Sequence, residues 1–278
     1  MSGKLKASIK FASSMILVLI AYLPTLQWMV DRWMLKESYY GHGFLIPLIS
    51  LYILWQRRGL LKKTEIESSK IGFFIVAFGL LVHILCATLR IYFVSGFSFV
   101  FVIYGLVLFF FGKKMARNLI FPIFFLIAMI PLPLVLIGNL TVKLKLFVAQ
   151  TATIILNNIG FPCIRDGSII RMPNSFVAVE APCSGLRSLI SLITLGFLFA
   201  YAMKVSYVKK SLLFLSSIPI ALASNLVRIT LLAIVNDLYG EKIAMGFFHD
   251  FSGFLIFGVA FVGLFSVSRV LEKWENNA

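Results

Sequence analysis

The sequence predicts an all-α polytopic membrane protein of about eight transmembrane helices, with an amphipathic helix and a small β-ribbon on its outer face. Two observations carry this. Hydrophobic residues make up 60% of the chain and charged residues only 13%, where a soluble domain has about 25% charged. Apolar runs of about twenty residues, enough to cross a bilayer core, recur along it. The short alternating segments of a β-barrel do not dominate. With no repeat, low-complexity linker or second domain, residues 1–278 read as one integral membrane domain.

The expected spans are 12–30, 41–56, 71–89, 91–112, 118–138, 184–203, 211–235 and 251–270. The first follows Lys4, Lys6 and Lys10; its apolar run is too long for a signal-peptide core and lacks a small-residue cleavage site, so it reads as a retained span. With the N-terminus inside, the connectors RRGLLKK (57–63), KKMAR (113–117), KVSYVKK (204–210) and the C-terminal tail share one side. Counted with Lys70 and Arg269, that side then holds sixteen of the 26 lysines and arginines, so the positive-inside rule sets the orientation. A cytoplasmic membrane, with the N-terminus inside, is the expected location.

The insert 139–182 departs from this pattern. TVKLKLFVAQTATIILNNIG (141–160) is apolar but carries Lys143, Lys145 and Gln150. If it crossed, every later basic connector would move outside, so it reads as an interfacial or re-entrant amphipathic helix, or as half of a helical hairpin with 118–138 bent at PLP (131–133). FPCIRDGSIIRMPNSFVAVEAP (161–182) follows. Asp166-Gly167 and Pro173-Asn174 are turn signals, and SIIRM and SFVAVE are strand candidates.

The net charge of +15 would suggest nucleic acid in a soluble protein. No basic stripe interleaved with aromatics occurs, so the charge belongs to connectors that set topology and meet anionic lipid. The three cysteines have no metal-ligand spacing, and no metal or cofactor is expected.

Polar residues at span heads are costly and need a reason. Cys183 precedes the sixth span, and Pro182 and Ser184 beside it suit a helix start, where a thiolate is favoured. Cysteine is also a common buried residue, and a Cys163–Cys183 disulfide is a competing account. Arg228 lies eighteen residues past Lys210, about 27 Å along a helix, close to the outer boundary of a ~30 Å core. Asn225 shares its face. His249 opens the eighth span at the same depth. A thiol nucleophile needs a base and an acid, which one imidazole provides; an acyl-transfer oxyanion needs a donor, which a guanidinium provides.

Arg187, four residues after Cys183, is expected on the same helix face, there to hold a carboxylate or lower the thiol pKa. Glu180 orients Arg187 or Arg228, or is simply solvated. Cys86 reads as packing, and His83, one turn before it, as a satisfied span histidine.

The ordered motifs EAPCSGLRS, NLVR and HDFSG, with the early stretch YYGHGFLIPLISLYILW, resemble the exosortase/archaeosortase family over about residues 38 to 265. The resemblance implies a membrane cysteine transpeptidase-like protease with Cys183, Arg228 and His249 as its active trio. Asn225, Arg187, Glu180 and Ser184 are supporting or substrate-binding candidates. It implies substrates ending in a sorting signal: a Pro-Glu-Pro-like motif, a membrane helix and a basic tail. The freed protein would pass to a lipid or glycan acceptor. Phe254 follows Gly253 where some members have tryptophan. Two other readings stand beside this one. A transporter or exopolysaccharide-export component predicts polar residues spread across depth. A membrane acyltransferase with His249 as base makes Cys183 structural.

Overall fold

The computed structural model describes residues 3–276. It is predominantly helical, with one small sheet, and forms two compact units, Met1–Pro133 and Leu134–Ala278. Five helices are long and apolar enough to cross a membrane, or six if one bent pair counts as a span. This is a multi-pass membrane protein, although that criterion does not reach the expected count of eight.

In the first unit, α1 (Gly3–Ala21) and α2 (Leu23–Trp33) make the bent pair, at 65° to each other. Pro24 at the start of α2 explains the bend: it has no N–H, and its ring collides with the carbonyl four residues back. His83 Nε2 lies 3.1 Å from the Ala21 oxygen at the break, and its Nδ1 lies 2.7 Å from Ser95 Oγ. His83 is thus a satisfied span histidine that pins the bend. A 3-10 turn at Gly41–Phe44 leads into α3 (Leu45–Gln56), followed by α4 (Arg58–Lys63). Gly43 packs against Trp33, where a Cβ would come within 2.4 Å of the indole nitrogen. The expected span 41–56 is therefore the shorter apolar stretch Gly41–Gln56.

Helices α5 (Lys70–Thr88) and α6 (Tyr92–Phe125) approach closely through glycines. A Cβ on Gly72 would lie 2.3 Å from the Phe109 nitrogen, and one on Gly79 would lie 2.6 Å from Val102. Gly72 and Gly79 are seven residues apart and so share a face, the small-residue packing typical of membrane helices. Helix α6 is a hairpin. If it were straight, Phe101 and Phe124 would stand about 35 Å apart at ~1.5 Å per residue; their rings are 5.5 Å apart. The chain turns at Gly112 (φ 84°, ψ −177°), a conformation that is essentially glycine-only. The expected spans 91–112 and 118–138 thus become two arms of one folded element, and the second ends in a 3-10 turn at Leu126–Met129.

In the second unit, α7 (Leu134–Asn158) contains the segment expected to lie on the surface. It is long and apolar enough to cross a membrane, and it is the least apolar of the five. Three short antiparallel strands follow, in order β1 (Ile164–Asp166), β2 (Ile169–Arg171) and β3 (Phe176–Ala178). The turns fall at Gly167 (φ 60°) and at 173–174, where the signals stand in the sequence. Strand β1 was not expected; all three of its residues are exposed, so it has no apolar alternation to read.

A 3-10 turn, Pro182–Ser184, joins the sheet to α8 (Leu186–Ala202), again shorter than a full span. Helix α9 (Tyr207–Tyr239) runs about 50 Å. Near one end Lys209 pairs with Glu275. Near the other, Asn236 Nδ2 donates to the Phe176 oxygen of β3 at 2.8 Å, and Ser175 Oγ donates to Asp237 at 3.1 Å. A short turn α10 (Glu241–Ile243) and a π-type turn at Ala244–Phe248 lead to α11 (His249–Asn276). Val148, Ala152 and Leu156 of α7, Ile170 and Val177 of the sheet, and Ile229 and Leu232 of α9 form one core, which includes Cys183.

Candidate active site

Cys183 does not sit on α8. It is the middle residue of the Pro182–Ser184 turn, and α8 begins only after Gly185, which is left-handed (φ 82°). The expectation that Cys183 and Arg187 share a helix face therefore fails, because Gly185 redirects the backbone between them. The turn is held from three sides. Cys183 N donates to the Glu180 oxygen (3.1 Å), Ser184 Oγ donates to the Ala181 oxygen (2.7 Å), and Asn225 Nδ2 donates to the Cys183 oxygen (3.0 Å). Asn225 lies beneath Gly185, where a Cβ would come within 2.7 Å of its amide. A glycine is required there by both its φ and this close approach.

His249 is the first residue of α11, and its Nε2 lies 3.3 Å from Cys183 Sγ. Arg228 reaches the same atom from α9, with Nη2 at 3.2 Å from Nε2 and 3.0 Å from the His249 oxygen. Arg228 Nε donates to Ser252 Oγ (3.3 Å), and Ser252 Oγ donates to the His249 oxygen (3.0 Å). Three of the five guanidinium donors are thus committed, which fixes the plane of the group.

The thiol is buried, 7% exposed. Burial pushes its pKa above the ordinary thiol value; the Arg228 charge works against this, and Glu180 adds to it. The sequence had suggested a helix end that favours thiolate. Burial outweighs any such help, and the thiol form is favoured instead.

A cavity of about 450 Å³ opens beside this cluster. Arg187, Ser188, Ser191, Ser224, Asn225, Arg228 and His249 line its polar part, and Leu192, Phe254 and Phe257 its apolar part. A larger cavity of about 670 Å³ lies in the first unit, but no ionisable side chain lines it, so the smaller one is where chemistry is possible. Arg187 is exposed and faces this cavity. Glu180 is exposed and, among the described residues, forms no ion pair with either arginine, so it is solvated. Ser184 is fully buried and supports the turn. Cys86, Cys163 and Cys183 are all free thiols. Cys163 Sγ points to the Thr153 oxygen, 3.7 Å away.

Sequence reasoning missed Ser252, Ser188, Ser191 and Ser224. The signal was present: Ser188 and Ser191 are three apart on a mostly apolar helix, and Ser252 is three after His249, so each pair shares a face. Among the described residues no group of three or more metal-ligating side chains converges. The arrangement offers a thiol, a base within reach of it, and a fixed cation beside both, the parts that acyl transfer through sulfur requires.

No curated protein and no solved structure matches the chain. A model of the transmembrane exosortases matches residues 28–266, a stretch that includes the whole Cys183–Arg228–His249 cluster. With a match over most of its length, this chain belongs to the transmembrane exosortase family.

Proposed function

We propose that this protein is a membrane cysteine transpeptidase in which Cys183 is the nucleophile, His249 the proton acceptor and donor, and Arg228 the oxyanion donor. The observation that carries the reading is the meeting at one atom: His249 Nε2 lies 3.3 Å from the thiol sulfur and 3.2 Å from a guanidinium nitrogen. Both are within reach for proton transfer or hydrogen bonding, allowing for the size of sulfur.

The steps follow from these positions. Cys183 Sγ attacks a substrate carbonyl carbon as its proton passes to His249 Nε2. The carbonyl electron pair moves to oxygen, where Arg228 stabilises the charge. Collapse expels the amine, which takes the proton from Nε2, and leaves a thioacyl enzyme. An acceptor nucleophile, or water, then gives its proton to Nε2 and displaces the sulfur, which takes that proton back as the thiol. The substrates on this reading are exported proteins with a C-terminal sorting signal, and the acceptor is a lipid- or glycan-linked surface anchor. Asn225 holds the turn of Cys183, and Arg187 lines the adjoining cavity, where it can meet a substrate carboxylate. The whole chain acts as one domain in a prokaryotic cytoplasmic membrane, with the site at the outer leaflet; the bias of lysine and arginine to the opposite connectors supports that orientation.

The test is co-expression of Cys183→Ala with a precursor carrying such a signal. Cleavage should be abolished while the variant still inserts. Cleavage at the wild-type rate would leave Cys183 structural and return the acyltransferase reading.

A further inference from the structure

Among the described residues, His249 Nε2 has two neighbours that both need its lone pair. Arginine has no acceptor and does not lose its proton in proteins, so the contact from Arg228 Nη2 at 3.2 Å is an N–H donated to Nε2. Nε2 is then unprotonated, the imidazole is neutral, and its proton lies on Nδ1. The thiol, 3.3 Å away, meets a nitrogen whose lone pair is already taken and keeps its own proton. The alternative, a thiolate–imidazolium pair, would place an Nε2 proton against the Arg228 N–H, donor to donor and cation to cation.

The position of Arg228 is set by a second contact. Its Nε donates to Ser252 Oγ, whose own proton goes to the His249 oxygen, and Nη2 also donates to that oxygen. Ser252 is 2% exposed and sits one turn into the helix that His249 opens. The hydroxyl is both acceptor and donor here, which is what couples the guanidinium to the backbone of His249. We infer that Arg228, held by Ser252, keeps the resting Cys183–His249 pair uncharged by occupying the Nε2 lone pair, and that Ser252 is the positioning residue for this arrangement. The inference rests on the reading of Cys183 and His249 as nucleophile and base.

The charged groups that act on the thiol are consistent with it. Arg228 and Lys145 favour the thiolate and Glu180 disfavours it, and burial, the largest effect, holds the thiol in its protonated form. The pair is released when a substrate carbonyl enters. As its oxygen gains negative charge it draws the Nη2 proton donor away from Nε2. The freed lone pair takes the S–H proton while the S–C bond forms and the carbonyl pair moves to oxygen. The nucleophile is thus activated by the substrate that consumes it, which guards a membrane thiol against oxidation and stray acylation.

The experiment is ¹⁵N NMR of histidine-labelled, substrate-free full-length protein in nanodiscs at pH 7, with the His249 signals assigned by their loss in His249→Gln. The expected result is one unprotonated ring nitrogen, Nε2, and one protonated, Nδ1. Two protonated nitrogens, or a lone pair on Nδ1, would overturn the neutral pair. In Ser252→Ala, the Nε2 signal should move toward the protonated position and kcat should fall about tenfold with KM unchanged, while Ser252→Thr, which keeps the hydroxyl, retains the wild-type signal. An unmoved Nε2 signal in Ser252→Ala would remove Ser252 from the arrangement. If Ser252→Ala does not fold, the wild-type spectrum still decides the protonation state. None of these spectra needs substrate, so failure of the transpeptidase reading, which Cys183→Ala detects, is separable from failure of this one.

Discussion

Asn225 Nδ2 donates to the backbone oxygen of Cys183 at 3.0 Å, joining two residues 42 positions apart. The contact makes the backbone of the nucleophile's turn part of the α9 surface, and Arg228, three residues along, projects from that surface. Helix α9 therefore fixes the thiol's turn and the guanidinium together.

Asn225→Asp keeps the shape but cannot donate. A buried carbonyl left without its partner costs about 1–3 kcal/mol. Precursor processing should fall about tenfold or more, and the thermal midpoint should drop. Asn225→Gln, which can still donate, should lose less in the same two measurements.

Gly185→Ala puts a Cβ at a left-handed residue and against the Asn225 amide, 2.7 Å away. Left-handed backbone costs a non-glycine residue about 1–2 kcal/mol, and overpacking adds about 1–3 kcal/mol. The variant should be inactive in the processing assay and alkylate faster at Cys183, because the turn no longer seats the thiol in the core.

The pH dependence follows from the raised thiol pKa. The fold favours the neutral thiol, so Cys183 contributes stability that is fully present below the ordinary thiol range and is lost as pH rises through the elevated folded value. In a variant with Cys86 and Cys163 replaced by serine, alkylation of Cys183 should accelerate only at more alkaline pH than for a free thiol. A reactive plateau persisting at pH 6 and abolished by His249→Gln would contradict this.

Arg228→Lys retains charge but not the planar fork that serves Ser252, the His249 oxygen and Nε2 at once. Loss of an oxyanion donor costs about 100- to 1,000-fold in kcat. Processing should fall by that order and alkylation of Cys183 should quicken as Nε2 is freed, while the thermal midpoint stays close to wild type.

Gly112→Ala tests the hairpin in the first unit. A Cβ there would lie 1.7 Å from the Glu67 oxygen, with φ at 84°. The variant should insert poorly and be degraded, as seen by its steady-state level, and no change at Cys183 is needed to explain the loss.

Much of this protein was legible in its sequence. Composition and run length gave the membrane class, because a bilayer demands about twenty apolar residues per crossing whatever they pack against. The turn signals at 166–167 and 173–174 placed the sheet, since those backbone shapes are local properties of glycine, asparagine and proline. Cys183, Arg228 and His249 stood out because polar groups at span heads need a reason. What tertiary structure alone decided is which faces meet. The fold-back at Gly112 was hidden between two apolar runs, because the sequence does not say which arm packs on which. Gly185 turned Arg187 off the face predicted from its spacing. Ser252 carries no charge and looked like any helix serine until Arg228 was seen to reach it from another helix. Spacing along a chain fixes what lies on one helix face, but contacts between helices depend on how their surfaces pack, and it is these contacts that bring Cys183, Arg228 and His249 to a single nitrogen atom.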